Sequence, residues 1–227
     1  MKNLLVLAAL TAGWMVPVSL AVSGCSSSLK YHVDDAALDQ VPTGERQSVF
    51  SAQSEVEQAK SEKRTALSQL DALDRDQDVA KNEKKQAELE VEKAATEQQS
   101  AVASHDENRD NAARHGKEVA DLGVKVAEAK LDWLDKKRDW LKAASDAADA
   151  HQKAAEAKVE WEKAKVAQQK GIKPSGDFEV GNYESQWKDR NSDWESAKKD
   201  VESLDKKTKD RENQWKDAQA QQAKLKG

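Results

Sequence analysis

Cysteine is almost missing from this chain of 227 residues: there is one, Cys25. An intrachain disulfide and any zinc site built on several thiolates are therefore excluded. Proline occurs three times, glycine nine times, and aromatic residues make up 5%, a mixture unlike that of an ordinary globular domain. No glycine-rich phosphate loop, serine elbow or plausible carboxylate pair occurs, and no apolar core large enough to enclose one, so catalysis and a bound cofactor are not expected. Nor does charge of one sign accumulate. The 37 Lys and Arg and 42 Asp and Glu alternate along the chain, which leaves no basic stripe to follow a phosphate backbone and argues against nucleic acid. His105 and His115 are ten residues apart, whereas ligands sharing one helical face need a spacing of three or four, so no metal site is expected.

The one long apolar run is at the start. Lys2 precedes an uncharged stretch from 4 to 22, which ends in Val22-Ser23-Gly24-Cys25. A positive end, an apolar middle and small residues at the cut describe a secretory signal. Pro17 and Gly13 disfavour the alternative, an uncleaved spanning helix. Val22-Ser23-Gly24-Cys25 resembles the lipobox of the bacterial lipoprotein family. The resemblance implies that residues 1–24 are removed and that Cys25 becomes a diacylated N-terminus, lastingly attached to a membrane. It leaves no thiol for pairing or nucleophilic chemistry. Ser26, a residue other than Asp after the cysteine, implies the outer membrane, with the body in the periplasm. The processed chain would carry a net charge of −6.

Beyond a tether at 25–43, apolar residues recur every seventh position. With Val49 as position a, twelve of seventeen a residues through Trp161 are apolar, as are fourteen of seventeen d residues from Ala52 to Ala164. So sustained a heptad predicts a coiled coil and an all-α fold, and argues against disorder. Twelve of the d residues are alanine, which allows close backbone approach but buries little area per residue. Thr43 is the expected N-cap of a helix over 44–170, and Gly171, Ile172 and Pro174 after a lysine-rich turn are its stop. Residues 171–183 read as a turn, with Asn182 capping a return helix over 184–227.

Tryptophan supplies the register. Trp133, Trp140 and Trp161 are separated by 7 and 21 residues, and Trp187, Trp194 and Trp215 by 7 and 21 again. The residues around them match as well, as an internal duplication would produce. An antiparallel hairpin that sets Trp161 level with Trp187 sets Trp133 level with Trp215, Trp140 with Thr208 and Trp194 with Ala154. Large knobs then meet small ones in the last two layers. These six indoles are read as the hairpin core rather than as a platform for stacking on a glycan.

The return helix reaches back only to about Leu122, which leaves 45–120 without a mate. Its a positions include Lys63, Gln77, Lys84, Gln98 and His105, polar residues that set register at the expense of stability. The heptad phase does not change across 104–117, so the expectation is one continuous helix of about 190 Å, a long coiled coil with an antiparallel hairpin at its C-terminal end. A break within 104–117 is the alternative, and it gives an elongated three-helix bundle. The function expected is that of a lipid-anchored spacer, tether or scaffold of the cell envelope, its 171–182 tip far from the membrane and its N-terminal half paired with another copy or another envelope protein. In general plan this resembles the outer-membrane lipoproteins that join that membrane to peptidoglycan through a terminal lysine, although here Gly227 follows Lys226. The second expectation is a binding module whose exposed 45–120 seam docks on a partner or an unfolded client.

Overall fold

The computed structural model describes residues 29–174 and 176–226. The apolar run, the lipobox-like residues and Cys25 lie outside the described residues. Three long helices account for nearly all of the rest: α1 (Gln47–Ala103), α2 (Glu107–Gln169) and α3 (Val180–Lys226). The fold is all-α and coiled-coil-like, as the heptad predicts, and at 1.5 Å per residue α2 runs about 95 Å.

The chain does not continue as one helix through 104–117. It reverses at 104–106, and the three-helix alternative is the one observed. Ser104 ends α1 with its backbone N–H on the carbonyls of Ser100 and Ala101. His105 follows with φ +53°, in the left-handed region that closes helix C-termini. Asp106 then starts α2, its carboxylate accepting from the N–H groups of Asn108 (3.0 Å) and Arg109 (3.2 Å). Glu107 and Asp110 place negative charge in the first turn, where the helix dipole favours it.

Folding back supplies the mate that 45–120 lacks. All nine buried residues of α1, from Val49 to Ala101, fall on a or d of the predicted heptad. They meet a second stripe on α2: Ala120, Ala127, Leu134, Leu141, Ala148 and Ala155, buried and seven apart. This stripe lies one residue past position a. The a line of α2 itself faces α3, so the unchanged phase across the turn reflects a change of partner, not an unbroken helix. Three of the four polar a residues of α1 find acids on α2: Lys63 with Asp149 (2.5 Å), Gln77 with Asp135 (2.7 Å) and Lys84 with Glu128 (3.0 Å). Glu55–Lys158 (2.6 Å), Asp74–Arg138 and Glu83–Lys130 (2.5 Å) flank them. Pairs this exposed are worth about 0–1 kcal/mol each; their part is to hold the antiparallel register.

α2 is the middle helix. No Cα of α1 comes within 8 Å of one in α3, so the outer helices pack on α2 from two sides and leave a groove between them. The other boundaries follow the sequence with small shifts. Gly171 (φ +68°) terminates α2, and Ile172 N–H returns to the Ala167 carbonyl at 2.9 Å, the predicted glycine stop. α3 begins at Val180, so Asn182 sits in its first turn rather than capping it. Thr43 is no cap either: Thr43–Arg46 is a 3-10 turn leading into α1.

Residues 29–46 are not a free tether. They form a strap across the 170–180 end of the bundle, with a first 3-10 turn at Asp35–Leu38 and with Val33, Leu38 and Val41 buried. These three join Val49, Val56, Val159, Val166 and Tyr183 in the larger apolar core. A smaller core lies at mid-length, around Leu73, Ala80, Leu134 and Leu141.

Candidate functional site: the aromatic seam and the docked strap

The α2–α3 seam is built from flat rings laid on one another. Trp161 stacks on Trp187 with centroids 4.6 Å apart and planes within 9°. Trp133 stacks on Trp215 at 4.8 Å and 10°. Both pairs are those that the spacing predicts. Trp194 comes to the level of Ala154, but its ring lies on His151 at 4.1 Å and 5°, a partner that spacing of tryptophans alone does not indicate. Thr208 is buried beside α2 and donates to the Lys136 carbonyl at 3.1 Å, one turn from Trp140. Trp140 packs against the mid-length core. Its indole N–H and that of Trp215 are buried without a hydrogen-bond partner, an expense of about 1–3 kcal/mol each that ring burial must outweigh.

Each stacked pair also carries a cation. Lys165 lies 4.0 Å from the Trp161 ring, Lys198 4.7 Å from Trp194 and Lys137 5.2 Å from Trp133. In every case the lysine is four residues after the tryptophan, one helical turn on, where side chains on one face meet. The repeating unit is thus ammonium, indole, second ring. Both faces of Trp133, Trp161 and Trp194 are occupied within the molecule. A cation over an exposed ring adds about 0.5–1 kcal/mol, and ring stacking about 0.5–1.5 kcal/mol beyond the area buried. The Trp194 layer spans the whole bundle, because His151 Nδ1 also lies 3.0 Å from Glu62 Oε2 on α1.

The strap is latched by polar groups. Lys30 and Tyr31 N–H groups both donate to Gln186 Oε1 (2.8 and 3.0 Å), and Gln186 Nε2 donates back to the Tyr31 carbonyl (3.1 Å). Tyr183 OH donates to the His32 carbonyl at 3.3 Å. Glu160, buried on α2, accepts from Val33 N–H at 2.7 Å and lies 3.0 Å from both His32 Nδ1 and Lys163 Nζ. Lys163, its side chain 5% exposed, also reaches Asp35 at 2.6 Å. Burial works against the Lys163 ammonium, but Asp35 and Glu160 outweigh it and hold its pKa above the usual 10.5. Burial, and then the Glu160 charge, push the Tyr183 phenol up.

No family model matches the chain, and no curated protein or solved structure matches it.

Between α1 and α3 the groove opens where α2 presents small residues: about 620 Å³ beside Ala144 and Ala148, flanked by Trp140 and Trp194, and about 400 Å³ over Gly116 near the 104–106 turn. Elsewhere the same line of α2 carries Lys130, Lys137, His151, Lys158 and Lys165, which fill the groove with ion pairs and stacks. No described helix is long and apolar enough to cross a membrane. The sequence contains a signal for the α1-facing stripe of α2, since Ala113 to Ala155 is apolar at every seventh residue. The three Trp-x-x-x-Lys spacings were equally readable. The strap had no such periodic signal.

Proposed function

We propose that the protein is a lipid-anchored spacer of the bacterial envelope, attached through Cys25 to the outer membrane, with a three-helix shaft of about 95 Å standing in the periplasm. The observation that carries this reading is mechanical continuity. The chain is latched to the bundle from Lys30 onward, only a few residues after Cys25, so an anchor there would pull on the shaft and not on a loose leash. An α2–α3 seam of stacked rings, with α1 held on α2 by a buried stripe and ion pairs, suits a strut. The role is structural and requires no catalytic group.

The alternative of a module docking through an exposed 45–120 seam loses its premise, because α2 covers that seam. Self-association is likewise no longer demanded by an unpaired helix. Metabolic labelling with radioactive palmitate tests the anchor. Label should enter the wild-type chain, be absent from Cys25→Ser, and sediment with outer membranes; label-free wild-type protein contradicts the reading. Cell-wall digestion followed by electrophoresis tests attachment to peptidoglycan, which would appear as species shifted in mobility.

A further inference from the structure

The latched strap determines which end of the rod meets the membrane. Residues 26–28 separate Cys25 from Leu29, so four extended residues reach about 14 Å at most. Lys30 and Tyr31 are held by Gln186, six residues into α3 and about 9 Å along its axis from the 170–180 turn. The 104–106 turn lies about 85 Å away in the other direction. A lipid on Cys25 can reach the first end and not the second. This reverses the sequence-based expectation, in which the 171–182 turn was the distal tip.

Among the described residues, no exposed apolar stripe supports side-on attachment. The exposed large hydrophobic residues of the described chain are Phe50, Leu67, Val79, Leu89 and Val102. All lie on α1 but are scattered over four of its seven heptad lines, so they form no apolar stripe of the kind that lays a helix in an interface. The 170–180 end offers Ile172 and Phe178, both half-buried against the larger core, with Lys173 exposed beside them.

We infer that the 170–180 end, with the start of the strap, is the surface set against the lipid bilayer, and that the rod stands end-on. The 104–106 turn and the C-terminal end of α3 are then what the protein presents to the wall or to a partner. This inference rests on the acylation of Cys25 proposed above.

The test uses the full lipidated protein in phosphatidylcholine–phosphatidylglycerol vesicles that contain a headgroup acceptor dye. A donor is placed on Lys173→Cys or on Asn108→Cys, both exposed positions, while acylation blocks Cys25. Near-complete energy transfer from position 173, with transfer near background from 108, is the expected result. Equal transfer from the two positions, or stronger transfer from 108, overturns the orientation while the anchor stands. Protein that stays in the supernatant and shows no transfer from either position shows that Cys25 holds no lipid, and overturns both readings. Circular dichroism of each labelled variant separates these outcomes from misfolding.

Discussion

Trp161 is pressed between Lys165 and Trp187, and that sandwich concentrates the seam's stability in a few rings. The surrounding alanines bury little area apiece, whereas one indole removes about 150–250 Å² from water. Trp161→Ala should therefore lower unfolding free energy by about 3 kcal/mol, read by chemical denaturation, and Trp161→Phe by much less. A loss under about 0.5 kcal/mol for the alanine variant would mean that the stack is ornamental. Charge acts at the same scale. The raised Lys163 pKa contributes stability that is complete below its unfolded value of 10.5 and is lost as pH climbs through the folded value. Asp149, held below 3.8 by Lys153 and then Lys63, contributes stability above that value, lost as pH falls through the lowered one. Melting temperature should decline at both extremes, and Lys163→Met should flatten the alkaline limb.

Among the helices, α1 was legible almost residue by residue, because it has one partner and its a and d lines are the whole of its buried face. The Trp133–Trp215 and Trp161–Trp187 layers were legible once Trp161 was set level with Trp187, although the spacing alone equally allows Trp161 opposite Trp194 with Trp140 opposite Trp215. α2 was misread for a physical reason: a middle helix buries two stripes, and a heptad count that follows only one sees an uninterrupted seam. The 104–106 turn had its own chemistry, an Asp106 cap followed by acids, but no glycine marked it. His105 fills the left-handed position that glycine would normally take. Substitution there distinguishes the two topologies by sign. His105→Gly should stabilise the folded chain by about 1 kcal/mol, relieving the left-handed strain, whereas in a continuous helix it would cost several tenths of a kcal/mol. Thermal melts of the two proteins decide between them. The strap was illegible because Val33, Leu38 and Val41 follow neither helical nor strand periodicity and are buried only by a surface that the folded hairpin creates.

For the molecule as a whole, the turn at 104–106 halves the expected reach, from about 190 Å to about 95 Å, and brings the start of α1 and the strap beside the 170–180 turn. Length, polarity of the rod and the covering of the α1 seam all follow from that one reversal. It is tested most directly by electron–electron double resonance between spin labels at Ser61 and Lys153, both exposed, in the Cys25→Ser chain. The three-helix rod sets the two at nearly the same level on adjacent helices, which predicts a narrow distribution at about 10–20 Å, one interaxial spacing plus the label arms. A continuous helix would separate them by about 140 Å, and the absence of any dipolar modulation would contradict the fold described.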